Sequence, residues 1–288
     1  MSAGKGRSGR AKKHAGQIQA ARSRQRQRSQ TAVRVSLSSH RRKLARAETH
    51  IQEIERIVKA WVTDSNAYKI AVDTNNDGHV EVFGQQLKPL PDDLELIIGD
   101  ALQAMRSSLD NLAFALAIKK TPAMTPKQEE DVSFPIFDTP PTARSKSVMH
   151  MDGTAIAEVI GLCPDPAVGP IKDHPLWLLN KANNRDKHRT ITVAAVATDN
   201  VSQHIHTAIV KGPARIGIGG PKRTKNVGDR ALFSTFGPGS QVQINVRAAL
   251  QVVFDQGVEV ADREVCGTLR SFHDHIRDTV FQTLEPYL

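Results

Sequence analysis

The chain has 288 residues, of which 39% are hydrophobic, and this allows one or two globular domains with a buried core. Its two cysteines, Cys163 and Cys266, exclude a disulfide framework and a four-thiolate zinc site. The longest apolar runs, Leu112–Ile118 and Ile191–Ala197, are far shorter than the roughly 18 residues of a membrane span, and no signal-peptide core is recognisable. We therefore expect a cytoplasmic protein that does not enter a membrane.

Positive charge is concentrated at the N-terminus. The formal net charge is +9, but residues 1–46 carry 14 Lys and Arg and no acid, whereas residues 47–288 carry 25 Lys and Arg against 30 Asp and Glu. Residues 1–31 contain almost no large apolar side chain, which predicts a disordered basic tail over residues 1–37. Such a tail would attract RNA, DNA or another polyanion. The equal alternative is a solvated tail without function, or upstream sequence from a misplaced start codon.

Residues 38–188 are predicted to be mainly helical. Apolar residues spaced three or four apart, or short capped segments, predict four helices: Ser39 to about Thr63, Leu94 to Lys119, Gly153–Gly161 and a segment that begins at Pro175. Between the first two, Tyr68–Val72 and Val80–Phe83 alternate around a turn-rich centre, which predicts a β-hairpin. The Pro-rich chain from the second helix to Pro141 is predicted to be irregular.

Residues 189–260 are predicted to be mainly strand. Short β-rich runs are separated by Gly, Pro, Asp and Asn turns and predict an antiparallel sheet: Ile191–Thr198, His204–Val210, Arg215–Ile218, Ala231–Phe236, Val242–Val246 and Gln251–Phe254. An apolar stripe then predicts a last helix over about Asp262–Leu284, packed back on the first two. These elements predict a single α+β domain over residues 38–288.

Neither metal-like pattern in the sequence is complete. The segment Asp73–Gly78 resembles the first half of a calcium loop, but the twelfth position is Gly84 and strands flank the segment, which favours a hairpin turn. His204 and His206 would share one face of a strand, and His273 and His275 would diverge on a helix, with no further ligand suitably spaced. We therefore expect no metal and no cofactor.

One polar arc follows the second helix. At about 100° per residue, the apolar side chains fall on one arc and the polar ones on the opposite arc, which comprises Asp100, Gln103, Arg106, Ser107, Asp110 and Asn111. A solvated helix face with a weak surface ion pair would give the same pattern.

A second polar cluster, Asn183–Arg189, lies where the helix that begins at Pro175 ends and the strands begin. Its carboxylate, imidazole and cations could bind an anion and move a proton. Alternatively, it is a basic helix C-terminus favoured by the macrodipole.

Three segments resemble an uncharacterised bacterial protein family common in actinobacteria. Gly99–Asn111 reads GDALQAMRSSLDN, Phe134–Phe137 reads FPIF and Pro175–Arg189 reads PLWLLNKANNRDKHR. The family reads approximately GDxLHNLRSALDH, FPIF and PLWLLxxLNNxDKHR, and the likeness extends from about Leu44 to Thr198 in order and spacing. The resemblance implies that the second helix and the Asp-Lys-His-Arg turn act together, but it implies no established activity.

The first segment also resembles the Arg-x4-His signature of HEPN domains, which are helical modules that often act as metal-independent RNases. In this chain Asn111 occupies the histidine position, and an asparagine cannot act as a general base. The resemblance therefore implies HEPN-like helices, and the base of any cleavage reaction would have to come from elsewhere.

These observations lead to one site hypothesis and one alternative. We expect a cleft that binds a phosphate-bearing or other anionic ligand, with His188, Arg106 and Asp110 as catalytic residues if RNA is cleaved. The remaining ligand-binding residues would be Asp100, Asn111, Asn184, Asp186, Lys187 and Arg189. The alternative is a non-enzymatic binding or regulatory module in which the same polar side chains form a structural network.

Overall fold

The structure is a computed structural model that describes residues 38–189, 191–197, 205–211, 222–246 and 250–288. The predicted α+β class is confirmed, with helices before and after a group of antiparallel strands. The predicted basic tail, the predicted strand Arg215–Ile218 and His204 lie outside the described residues. Of the helices that are described, none combines the length and hydropathy needed to cross a lipid bilayer.

Six helices of at least six residues are described. They are α1 Ser39–Thr63, α2 Asp93–Lys120, α3 Pro126–Asp131, α4 Gly153–Gly161, α5 Pro175–His188 and α6 Val265–His275. A π-helical segment, Ile276–Phe281, and short helical turns continue α6 to Tyr287. The predicted last helix begins later than expected because Glu264 caps it, accepting hydrogen bonds from the amides of Cys266 and Gly267.

Helix α3 corrects the expectation of irregular chain up to Pro141. Thr125 accepts a hydrogen bond from the amide of Gln128, whose side chain accepts one from the amide of Thr125 in return, and Pro126 occupies the first turn. This capping box satisfies amides that a helix start otherwise leaves unpaired. A Pro-rich stretch can therefore begin a helix where its caps are right.

The strands form three antiparallel groups among the described residues. The strands are β1 Tyr68–Thr74, β2 Val80–Gln86, β3 Val193–Ala197, β4 Ile205–Lys211, β5 Lys222–Thr224, β6 Arg230–Phe236, β7 Gln241–Val246 and β8 Leu250–Phe254. Their orders are β1-β2-β6, β5-β3-β8 and β4-β7. The predicted hairpin is confirmed, and through β2 it also pairs with β6.

The turn of that hairpin is held by Asn75. Its side-chain oxygen accepts hydrogen bonds from the amides of Asp77 and His79, and its nitrogen donates to Glu81. Gly78 adopts a φ of 77°, which a residue with a Cβ adopts at a cost. The calcium-like sequence is thus explained by the needs of a turn.

Residue contacts divide the described chain into two compact units. The first comprises residues 38–44, 107–167 and 277–288, and the second comprises residues 45–106 and 168–276. That residues 38–288 form a single domain stays a prediction. The apolar arc predicted for α2 is confirmed, because all its members are at most 3% exposed: Leu94, Ile98, Ala101, Leu102, Met105, Leu109, Leu112 and Leu116.

Candidate functional site

The polar arc of α2 divides between the two compact units. Asp100 is exposed and Arg106 is half-buried in the second unit, whereas the half-buried Asp110 and Asn111 belong to the first. His188, the proposed catalytic partner of Arg106 and Asp110, lies in the second unit and is exposed. A single site formed by all of these side chains therefore stays a prediction.

Asp110 holds the FPIF segment within the first unit. Its Oδ1 atom accepts a hydrogen bond from the backbone amide of Phe134 at 3.0 Å, and Phe134 is fully buried. Leaving a buried amide unpaired costs about 1–3 kcal/mol, so this bond fixes the path of the chain after α3. Next to it, the thiol of Cys163 donates to the carbonyl of Pro135 at 2.9 Å. Asp110 thus has a structural role within this unit.

Asp186, on α5, packs directly against Gly99 on α2 within the second unit. A Cβ atom built on Gly99 would lie 2.5 Å from Oδ2 of Asp186, which is closer than real contacts allow. Any side chain at position 99 would therefore force the Asp186 carboxylate to move. Asp186 also accepts a hydrogen bond from the backbone amide of Ile191, just before β3. The contact joins the first and third segments of the family-like pattern.

Two carboxylates and an imidazole interact around this contact. Burial raises the pKa of Asp186, and the negative charge of Asp100 raises it further. The hydrogen bond from the Ile191 amide lowers this pKa, but the net shift is upward. Burial also lowers the pKa of His50 on α1, and the nearby Arg46 lowers it further, whereas Asp100 raises it. A carboxyl group whose pKa is raised and an imidazole whose pKa is lowered, each interacting with Asp100, could exchange a proton with a ligand.

The C-terminal end of α5 presents the remaining predicted site residues. Asn183 is 1% exposed, whereas Asn184, Lys187, His188 and Arg189 are exposed. The amide of Arg189 donates to the carbonyl of Arg185 at 2.8 Å and closes the helix. This end of the helix therefore offers an imidazole and two cations to solvent, where they can meet an anionic ligand.

Other polar residues that the sequence singled out have packing roles or lie outside the description. The ring of His273 lies 3.5 Å from Glu48, whereas the ring of His275 packs edge-on against His174 with centroids 5.7 Å apart, so the two diverge as predicted. Burial raises the pKa of the Cys266 thiol to about 12, which makes it a poor nucleophile at neutral pH. Nothing is described of the His206 side chain.

Metal binding finds no support within the described parts of the chain. No three side chains of His, Cys, Asp or Glu are grouped there so that they could hold an ion.

Sequence reasoning missed Arg46 and His50. They lie four residues apart on α1 and therefore on one side of the helix, which was the available signal. The electrostatic coupling of His50 to Arg46 and Asp100 depends on the packing of α1, which a sequence period does not give.

Comparison with known proteins adds no family. No protein-family model matches the chain, and no curated protein or solved structure is significantly similar to it.

Proposed function

We propose that this chain is a non-enzymatic RNA-binding module whose polar motifs serve mainly as a structural network. One observation carries the proposal: the two carboxylates of the motifs, Asp110 and Asp186, accept hydrogen bonds from the backbone amides of Phe134 and Ile191. A carboxylate that satisfies a backbone amide stabilises the fold. The same residue types in a catalytic dyad would instead need to face a substrate.

The exposed cations of the third motif support an anionic ligand. Lys187 and Arg189 flank His188 at the end of α5, and all three are exposed. These cations also offset the negative end of the α5 dipole. Their proposed role rests also on the ten Lys and Arg of residues 1–37, which would add long-range attraction to the same polyanion.

Membership of the uncharacterised bacterial family remains part of the proposal. The contact of Gly99 with Asp186 and the hydrogen bond of Asp110 to Phe134 give the three resembling segments a physical reason to occur together. Each segment contributes a group that another segment needs for its packing. The HEPN-like reading of the first segment gains no comparable support.

Binding to a labelled single-stranded RNA, measured by fluorescence anisotropy over a salt series, tests the proposal. The full chain should bind with an affinity that falls steeply with salt and depends little on sequence. A version that begins at Leu37 should fold normally and bind more weakly, with a smaller salt slope. Equal affinity and slope for the two versions would refute the role of the tail, and no binding by either would refute the proposed function.

Metal-independent RNA cleavage is the second candidate, and the cluster around Asp186 favours it. The pKa of Asp186 is raised and the pKa of His50 is lowered, and such opposite shifts are typical of a general acid and a general base. Cleavage would proceed in the presence of a chelator and would be lost in His188→Ala if His188 is the base. Loss in His50→Ala alone would assign the base to α1. Cleavage that a chelator abolishes would refute this candidate.

A further inference from the structure

A cavity of about 370 Å³ lies in the second compact unit, between the beginnings of α5 and α6. Its volume is at the lower end of the range of about 300–1,000 Å³ that is usual for small-molecule sites. Leu178 and Phe272, which are 3% and 2% exposed, contribute apolar surface to its lining. A ligand here would therefore have a short apolar part.

The two helix N-termini beside the cavity are already capped by the protein. The Nδ1 atom of His174 accepts a hydrogen bond from the amide of Leu176, and the Glu264 carboxylate accepts from the amides of Cys266 and Gly267. These are amides that a phosphate or carboxylate ligand would otherwise use. The carboxylate of Glu264 also opposes the positive end of the α6 dipole. An anion is therefore disfavoured at this place.

The charged side chains of the lining leave an excess of negative charge. Asp173 and Glu264 are carboxylates, and Arg263 is the only cation among the described residues that line the cavity. Arg263 donates to Asp173 at 3.3 Å, with side chains 44% and 70% exposed, and such exposed pairs contribute little. A ligand cation can therefore replace Arg263 beside Asp173 at small cost.

Oxygen acceptors for a cation are also present. The two oxygens of Glu264 accept the amides of Cys266 and Gly267, and the Cys266 thiol also hydrogen-bonds to this carboxylate, which leaves one of its four lone pairs. The hydroxyl of Thr268 donates to the carbonyl of Glu264, which leaves its own lone pairs free to accept. With Asp173 these groups offer three oxygen acceptors, as many as a primary ammonium has donors.

We propose that this cavity is a binding site for a small organic ammonium ion, with its charge between Asp173 and Glu264 and its alkyl part on Leu178 and Phe272. This site is separate from the proposed RNA-binding residues and does not depend on them. The ligand class is a primary amine with a short aliphatic chain.

Isothermal titration of the full chain with n-butylammonium at low ionic strength tests the site, with butyrate and inorganic phosphate as anionic counterparts. We expect saturable binding of the ammonium ion in the millimolar range and no saturable binding of either anion. Binding of an anion as tight as that of the ammonium ion would overturn the assignment. Absence of ammonium binding would overturn it as well.

Two variants locate the bound ion. Asp173→Asn and Glu264→Gln each remove one negative charge, and the glutamine oxygen can still accept one of the two capping amides of α6. Each variant should weaken binding roughly tenfold, as expected for loss of one charge-assisted hydrogen bond. Asp92→Asn, at an exposed aspartate of the same unit that does not line the cavity, is the matched control and should leave affinity unchanged. Unchanged affinity in both lining variants, with normal circular dichroism, would refute this location.

Discussion

Helix α1 takes part in two charged clusters of the second compact unit, and the two differ in how charge is balanced. In the paired cluster, Glu48 and Glu55 of α1 meet Arg270 of α6, with N–O distances of 2.5 and 2.8 Å. This contact confirms that the last helix packs on the first. In the like-charge cluster around Gly99, Asp100 interacts with the second carboxylate, Asp186, and also with His50 of α1.

The opposite pKa shifts follow from that difference. Hydrogen bonding to Arg270 lowers the pKa of Glu48, whereas burial and the charge of Asp100 raise the pKa of Asp186. Ionisation of Glu48 therefore stabilises the paired cluster, whereas ionisation of Asp186 destabilises the like-charge cluster. A carboxylate whose surroundings oppose its ionisation is a stronger indication of a functional site than a carboxylate that is paired with a cation.

The largest effect on stability is expected at the contact beneath the like-charge cluster. Gly99→Ala places a methyl group 2.5 Å from Asp186 Oδ2 and should lower the free energy of unfolding by about 1–3 kcal/mol. Urea denaturation of the full chain measures it. In an Asp186→Ala background the same change should cost much less, because the opposing carboxylate is gone. Equal costs in the two backgrounds would show that Gly99 and Asp186 do not pack together.

A smaller effect is expected in the paired cluster. Arg270→Met removes the partner of two partly exposed carboxylates and should cost about 1 kcal/mol at pH 7, with Arg270→Lys losing less. The pKa of Glu48 is lower in the folded chain than in the unfolded chain, so this stabilisation is present at neutral pH and is lost as the pH falls through the folded-state pKa.

Urea denaturation at a series of pH values measures the effect at Arg270. The difference between Arg270→Met and the unchanged chain should shrink below about pH 4, where the unfolded carboxylate also becomes protonated. A difference that stays constant into the acid range would mean that Arg270 acts by packing alone.

The smallest effect is expected from neutralising Asp186. Because the pKa of Asp186 is raised in the folded chain, its ionisation opposes folding, and stability should fall as the pH rises from the unfolded-state pKa through the folded-state pKa. The variant Asp186→Asn keeps an acceptor for the Ile191 amide and removes this dependence of stability on pH. At pH 7 it should be as stable as the unchanged chain, or slightly more stable. A clear loss of stability at pH 7 would show that the ionised carboxylate is itself needed.

The sequence was sufficient where local periodicity decides the structure. Helix α1 begins and ends where its apolar spacing predicts because those positions form its buried face, and Asn75 and Gly78 define the hairpin turn. Strand β5, three residues with the sequence Lys-Arg-Thr, has no alternating pattern and exists because it pairs with β3. Propensity does not predict such an element.

The candidate site was less predictable than the fold. Asp110, Asp186 and His188 were found as polar residues of motifs, but their partners were not, because Phe134 and Ile191 contribute backbone amides that carry no sequence signal. Arg46 and His50 gain significance only through the packing of α1. Contacts between distant segments therefore decide whether a motif carboxylate holds the fold or meets a ligand.

The central claim is that the carboxyl groups of the motifs hold the fold while the exposed cations bind RNA. Its most direct test measures the salt dependence of RNA affinity in two variants. One is Asp110→Ala, and the other is the double variant Lys187→Gln/Arg189→Gln. The double variant should lower the slope of log affinity against log salt by roughly 1.4, about 0.7 for each phosphate contact on single-stranded RNA, with unfolding unchanged. Asp110→Ala should leave the slope unchanged and lower the free energy of unfolding by about 1–2 kcal/mol. The reverse result, an unchanged slope in the double variant and lost binding in a stable Asp110→Ala protein, would contradict the claim.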